Sequence, residues 1–344
     1  MGTEKTLLGR DRRLNPRQPE SSDSLGSPRI VAFGGGTGMA CLLTGLREEP
    51  VDVTAVVSVS DDGGSSGRLR KDFDIAPPGD IRNCLLALSG QEPLWARLLD
   101  YRFRESEMAG HSIGNLLITA LTRVTGDFDL AIRELNRLLQ VRGRVLPANG
   151  GKLTLIAHHH DGTKSTGEKQ IARSGKSIER LEARPRVEEP AEDVGRAIEE
   201  ADLIVFGPGS LFTSVVPPLL IEGIRRRVLE SFASKVYIAN VMTQPGETDD
   251  MTLVDHVDAL ERHAGEKIID EVIVHNGNFP EELLQNYTRQ GSVPVVDDGE
   301  LAIRGLRVSI ADLIDCGASS ARHHSGIIGR IICELALVSS GKPA

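Results

Sequence analysis

Residues 29–46 constrain the fold more than any other stretch. Arg29-Ile30-Val31-Ala32-Phe33 reads as a short buried strand, runs at once into Gly34-Gly35-Gly36-Thr37-Gly38, and continues as a helix-spaced apolar run from Met39 to Leu46. Strand, glycine loop and helix in that order open a nucleotide-binding α/β layer. Glycines let backbone N–H groups come close to a phosphate, and the helix N-terminus behind them favours negative charge. The match to the dinucleotide pattern G-x-G-x-x-G is incomplete, because Met39 stands where the third glycine belongs. A second β-branched run, Val51 to Ser60, opens into the glycine-rich loop Asp61-Asp62-Gly63-Gly64-Ser65-Ser66-Gly67. The spacing predicts a βαβ unit.

The rest of the chain repeats this alternation. Asp80, after Pro77-Pro78-Gly79, is placed to cap the helix that starts at Ile81. Further helices are expected at 94–100, 114–124, 128–140, 191–200, from the 207–210 loop to near Glu230, at 251–263 and at 280–289. Strands are expected at 152–158, 202–206, 235–239, 271–274 and 293–296. The segment at about 141–190 is polar and largely aperiodic, and with a hairpin turn at Asp161-Gly162 it reads as a β-rich excursion. The predicted class is α/β: a Rossmann-like, three-layer fold around a mostly parallel sheet, one domain over residues 29–335. Residues 1–28 mix Arg, Pro, Ser and Asp without period and read as a disordered tail, with a flexible C-terminus at 336–344.

Charge and cysteine usage narrow the function classes. Forty Lys+Arg against forty-nine Asp+Glu leave a net charge of −9, which opposes a broad grip on DNA or RNA but permits a local anion site. Cys41, Cys84, Cys316 and Cys333 lie far apart, so neither a zinc site nor a disulfide framework is expected, and a reducing cytoplasm fits. No apolar run of roughly eighteen residues and no secretory h-region occur, so neither membrane insertion nor export is expected.

The candidate site residues cluster in loops that follow strands. Gly34, Gly35, Gly36, Thr37 and Gly38 suit a phosphate; their alternative is a tight turn without ligand. Asp61 and Asp62 stand where a ribose-holding acid belongs, or could hold Mg²⁺ against a phosphate; no other metal site is expected. Gly63, Ser65, Ser66 and Arg68 follow as hydroxyl and guanidinium donors on a flexible loop. Arg82 and Asn83 call for an anion or a partner carboxylate, and His111 with Asn115 opens a helix that Ser112 can cap. Gly207, Pro208, Gly209 and Ser210, with Thr213 and Ser214, repeat the strand–glycine loop–helix logic. Asn240, Thr243, Gln244, Glu247, Thr248 and Asn276 place polar groups at two more strand ends. In a doubly wound sheet such ends share one crevice, and that convergence outweighs any one loop. Tyr287 is placed to cover a base or sugar and Arg322 to meet an anion, whereas His158, His159 and His160 lack a partner Asp or Cys cluster for metal. His111 and Asp62 are the catalytic candidates, although no orienting partner for His111 is visible.

The ordered motifs Gly34 to Gly38, Asp61 to Arg70, Pro77 to Asn83, Gly110 to Leu116, Gly207 to Ser214 and Asn240 to Thr248 resemble the YvcK/CofD-like family, specifically its YvcK branch of gluconeogenesis factors. They span roughly residues 29–335. The resemblance implies a Rossmann-like fold, a bacterial cytoplasm, and a bound nucleotide such as UDP-N-acetylglucosamine or NAD(P). It also implies a role in cell shape and peptidoglycan precursor supply on gluconeogenic carbon, with a homo-oligomer and a protein partner in cell-wall synthesis. The sister branch is similar to 2-phospho-L-lactate transferases, which use Mg²⁺ and a nucleotide-activated donor.

Three functions stand side by side on these residues. The leading one is a nucleotide-sugar-binding regulator without an obligatory cofactor, in which loops 34–38 and 207–214 cradle the diphosphate. Its rivals are a Mg²⁺-dependent transferase and an NAD(P)-dependent oxidoreductase, the latter opposed by the incomplete glycine pattern.

Overall fold

The computed structural model describes residues 26–90, 93–315 and 322–341, and the expected tail at 1–28 lies outside them up to residue 25. β1 (Arg29–Gly34) leads into α1 (Gly36–Leu46), and β2 (Asp52–Val57) into α2 (Gly64–Phe73). Helices α3 (Gly79–Leu88), α4 (Pro93–Asp100), α5 (Ile113–Thr125) and α6 (Phe128–Leu138) precede β3 (Arg144–Pro147). The excursion contributes β4 (Thr154–His159), β5 (Lys164–Thr166), α7 (Glu168–Arg173) and β6 (Ile178–Arg184). Then come α8 (Glu192–Glu199), β7 (Leu203–Phe206), α9 (Glu222–Glu230), β8 (Ser234–Ile238) and α10 (Leu253–Ala264). β9 (Glu271–His275), α11 (Glu281–Arg289), α12 (Glu300–Ile303), β10 (Arg307–Ala311) and α13 (Ser325–Ser340) follow.

Seven strands form one sheet in the order β10-β9-β8-β7-β1-β2-β3, with every neighbouring pair parallel. From β1 the chain winds one way through β2 to β3, then returns to the other side of β1 as β7 and winds outward to β10. The direction reverses between β1 and β7, so their carboxyl ends leave a crevice that no crossover covers. Helices cover both faces, which is why the strands read as continuous apolar runs. Val31 and Phe33 belong to one core layer and Ile30 and Ala32 to the other, all four buried. Phe33 stacks on Phe206 across the β1–β7 seam with ring centroids 5.5 Å apart. The excursion forms a small antiparallel sheet, β5-β4-β6, as its turn chemistry predicts.

Several boundaries differ from the sequence reading, each for a local reason. The loop expected over 61–67 ends at Gly63, and Gly64, Ser65, Ser66 and Gly67 form the first turn of α2. The helix expected after the 207–210 loop divides into a π-helical turn at 211–215, a 3₁₀ turn at 217–220 and α9, since Pro217 and Pro218 carry no N–H to continue an α-helical ladder. No strand forms at 293–296; Pro294 makes one antiparallel bridge to Met242, and the last strand is β10. β3 joins the main sheet rather than the excursion. Of the C-terminus expected to be flexible over 336–344, residues 336–340 form the end of α13, and 342–344 lie outside the described residues. Asp80 does not cap its own helix: it sits in the first turn of α3 and accepts the backbone N–H of Gly36 at the start of α1. Tertiary packing thus recruits the carboxylate for a neighbouring helix whose own N-cap, Gly35, offers no side chain.

Candidate ligand crevice at the strand switch point

The loops at 34–38, 61–63, 207–214, 240–248 and 275–277 all leave the same rim of the sheet, because all five follow parallel strands of it. They are not equally close. Loops 34–38 and 207–209 face each other across the switch point, so tightly that a Cβ on Gly38 would lie 2.7 Å from the carbonyl oxygen of Pro208. A Cβ on Gly209 would approach the Gly35 carbonyl to 3.3 Å. Main chain therefore forms both walls, and Gly36, at φ +66°, takes a turn that favours glycine. Thr37 is the exposed residue of this loop, while Ser214 lies buried beneath it, its Cβ 3.5 Å from where a side chain on Gly35 would begin.

The 207–214 and 240–248 loops are joined by side chains. Asn240 accepts the Gly209 N–H at 3.4 Å and donates to Gln244 at 3.4 Å, and Gln244 donates to Ser210 at 3.0 Å. Thr213 donates to Glu247 at 3.0 Å. Thr243 turns the other way, donating its backbone N–H to the Val293 carbonyl at 2.8 Å and accepting the Val293 N–H on its hydroxyl at 2.9 Å, so it anchors the 293 segment. Asn276 lies three strands from β1, about 14 Å along the sheet, where its side chain accepts the Asn278 N–H. Tyr287 is half-buried against the core on α11. Arg322 is exposed beside His323, which reaches the Ala239 carbonyl just beyond β8 at 3.1 Å and so ties that segment to the rim. Burial pushes the His323 imidazole down to about 4.

Acids line the floor. Burial and the neighbouring Asp61 push the Asp80 carboxyl up to about 7 against the pull of the Gly36 N–H. Glu168, from α7, is pushed up to about 9 by burial and by Asp61, Asp80, Glu247 and Asp62. Glu247 is raised by burial to about 7, although the Thr213 hydroxyl and the N–H groups of Phe212 and Thr213 donate to it. Glu168 belongs to the excursion and carries no motif signal; only the glycine before it, Gly167 at φ +89°, marks the turn that brings it in. Asp62 receives the Lys169 N–H at 2.9 Å and packs against Gly167, so it holds the α7 N-terminus to the rim. Asp61 accepts the Gly63 N–H at 2.8 Å. Among the described residues no three His, Cys, Asp or Glu side chains converge to hold a metal ion. His158 contacts Glu182 and Arg180, and His159 contacts Ser165.

A second polar group stands behind α2. Ser65 receives a hydrogen bond from Asn115 Nδ2 at 3.1 Å and lies 2.9 Å from His111 Nδ1. Burial, and next Arg68, push the His111 pKa down, which keeps the ring neutral. The orienting partner that the sequence did not reveal is therefore Ser65. Ser112 caps α5 through the Asn115 N–H and accepts from Arg82 at 2.6 Å; Arg82 also reaches Asn83 at 2.7 Å and Asp100 at 3.6 Å. Arg82 thus has protein partners, although its Nε and the Asn115 Oδ1 are buried without one. Ser66 packs against Gly79, where a Cβ would collide with its hydroxyl.

Fold and crevice together define a doubly wound parallel-sheet protein with a glycine-walled cleft at its switch point. A family model described as 2-phospho-L-lactate transferase CofD matches residues 30–314, and the chain belongs to that family. The gluconeogenesis factor of Bacillus subtilis strain 168 is 44% identical over 310 residues, covering 90% of this chain and 98% of the relative. That of Halalkalibacterium halodurans is 45% identical over 317 residues, covering 91% and 96%. A crystal structure of a UPF0052-family member from Bacillus halodurans superposes with a TM-score of 0.86 at 44% identity, covering 89% of this chain and 98% of that one. No helix among the described residues is long and apolar enough to cross a membrane.

Proposed function

We propose that the switch-point crevice binds a nucleotide sugar, with UDP-N-acetylglucosamine as its type, and that the protein acts as a cytoplasmic gluconeogenesis factor regulating cell-wall precursor supply. The observation that carries this is the apposition of two glycine turns: Gly38 admits no side chain against Pro208, so backbone rather than side chains meets the ligand. A diphosphate bridging two such turns would gain from the N–H groups and the N-terminal field of α1. Ser210, Asn240 and Gln244 are hydrogen-bonded to one another beside it and offer uncharged groups for base or sugar. Asp61 orders a ribose hydroxyl, and Tyr287 and Arg322 extend the site along the rim. The relatives named gluconeogenesis factors support regulation over turnover. The protein functions as a homo-oligomer in this reading.

The family description favours one alternative, a transferase acting on a nucleotide-activated donor. In that case Mg²⁺ arrives with the ligand phosphates rather than residing on the protein, in line with its preference for phosphate and a few carboxylates. Calorimetric titration with UDP-N-acetylglucosamine, GDP and NADP⁺, with and without Mg²⁺, separates the readings. Saturable binding of the UDP-sugar without consumption supports the regulator; Mg²⁺-dependent consumption of a phosphorylated donor overturns it in favour of the transferase.

A further inference from the structure

On the rim beyond Asp62, between α2, the loop after β3 and the open end of the small sheet, a cavity of about 910 Å³ holds charges that are already matched. Arg70, which lines it, faces the Asp62, Asp61 and Glu168 carboxylates. Unmet hydrogen-bonding capacity lies instead at the margin of the main sheet, whose two outermost strands end differently. β3 is closed by its own chain. Val145 and Pro147 are the residues it turns outward; the Asn136 side chain accepts the Val145 N–H at 2.8 Å and donates to the Val145 carbonyl at 2.8 Å, and Pro147 has no N–H to offer.

β10, at the opposite margin, pairs with β9 alone, in unbroken parallel register. The Arg307 N–H donates to the Asp270 carbonyl and the Asn276 N–H to the Ala311 carbonyl. The alternation of a parallel ladder therefore turns Arg307, Ser309 and Ala311 toward β9, and the N–H and C=O groups of Val308 and Ile310 away from it. Among the described residues these outward groups have no partner. No Pro, Lys or bulge blunts the strand. Ile310 is 58% exposed on it, and Ile303, on the α12 helix packed against it, is 87% exposed. An open apolar edge of this kind is a template for another strand.

The outward groups complement themselves. Opposite residues of an antiparallel pair exchange both hydrogen bonds. About a two-fold axis at Ser309, Val308 of one copy lies opposite Ile310 of the other, and every unpaired donor and acceptor is used. The same axis packs apolar Val308 against apolar Ile310 and brings the strand end that carries exposed Arg307 to the end beyond which exposed Asp312 stands. Parallel addition of a second copy would instead set Arg307 against Arg307, a destabilising pair.

We propose that β10 is a homodimer interface, in which the strands of two copies pair antiparallel about a two-fold axis at Ser309 and join their seven-stranded sheets into one. This gives the homo-oligomer of the proposed function its contact surface and rests on that part of the reading. The test is sedimentation velocity on the full chain, combined with oxidation of Ser309→Cys by oxidised glutathione. The native protein should sediment at twice the chain mass. On the axis, residue 309 faces its counterpart as a non-hydrogen-bonded pair with Cα atoms about 4.5 Å apart, within the span of a disulfide. Ser309→Cys should therefore form a covalent dimer under conditions that leave the native protein uncrosslinked, and so should leave Arg307→Cys, roughly 13 Å from its counterpart along the strand. Ile310→Lys, at an exposed position, should weaken dimerisation at least about tenfold while the protein keeps a cooperative melt. Ile310→Pro, which removes an outward N–H and no ladder bond to β9, should do the same. A monomeric native protein overturns this interface and the homo-oligomer together. A native dimer that persists in Ile310→Lys and Ile310→Pro, or in which Ser309→Cys stays uncrosslinked, overturns the interface alone, and neither result bears on nucleotide binding in the crevice.

Discussion

The two concavities on the carboxyl rim of the sheet are built in opposite ways. The crevice between β1 and β7 is walled by main chain, with Gly38 against Pro208, and its acids lie in the floor. The cavity beyond Asp62 is walled by charged side chains of both signs brought together across the chain, as in the Arg70–Thr154 hydrogen bond that spans 84 residues. A main-chain site is written locally, as glycines at the end of a strand, because only glycine permits the close approach. A side-chain site exists only after distant segments have docked. The first admits no added volume where the two turns meet.

Gly38→Val attacks this difference where the effect is largest. A branched side chain placed 2.7 Å from the Pro208 carbonyl must push the two turns apart, a clash that costs on the order of 2–4 kcal/mol. Thermal melts should show that loss, and titration with UDP-N-acetylglucosamine should show binding abolished. Retained affinity would mean that the crevice is not the nucleotide site. Gly36→Val should likewise abolish binding, with a smaller loss of stability, since its space is open but its φ of +66° disfavours a branched residue.

The acids of the crevice give the next largest effect, through pH. Asp80, Glu168 and Glu247 all have folded pKa values raised above their unfolded ones, to about 7, 9 and 7. Each therefore favours folding in its protonated form, a contribution that is full below the unfolded value and is lost as pH rises through the folded one. Melting temperature should fall as pH climbs from about 5 to 9. Asp80→Asn keeps an acceptor for the Gly36 N–H and removes the charge, so at pH 8 it should stabilise by about 1–2 kcal/mol, and by less at pH 5. Because a nucleotide-sugar diphosphate does not titrate in this range, its binding to the native protein should weaken from pH 6 to 8, and weaken less in Asp80→Asn, where Glu247 still titrates. A pH-independent affinity in the native protein would separate Asp80 from the ligand.

These contrasts explain how much was legible in the residues alone. The strand–glycine–helix starts at Gly34 and Gly207, the parallel sheet and the shared rim follow from local pattern, because backbone geometry imposes that pattern. Tertiary competition was not legible. Asp80 has the spacing of a cap for α3 yet serves α1, and Thr243 looks like a rim donor yet clamps Val293. α7 sits inside a polar stretch with no helical period, and what fixes it is Asp62 from the far side of the chain. Gly246 abuts the Ala172 carbonyl, so the same short helix also wedges against the loop after β8. The excursion is therefore part of the crevice wall. Glu168→Gln checks this: with its pKa raised from 4.5 to about 9, the carboxyl must take up a proton on folding at neutral pH, so the amide should stabilise increasingly from about pH 5 to pH 9, by on the order of 1–3 kcal/mol at pH 7, and level off above it.

The smallest expected effect belongs to Asp62, which borders both concavities. Asp62→Asn keeps an oxygen for the Lys169 N–H and loses only charge at a helix N-terminus, so stability should drop by about 0.5–1 kcal/mol. Nucleotide binding should hold, since Gly207–Gly209 follow β7, on the other side of β1 from β2, whose carboxyl end carries Asp62. If Asp62 instead supplied a metal ligand for a nucleotide-activated donor, Asn would make UDP-sugar or GDP binding lose its Mg²⁺ response. Titrations of the variant with and without Mg²⁺ therefore decide whether this carboxylate tethers α7 to the rim or takes part in ligand chemistry.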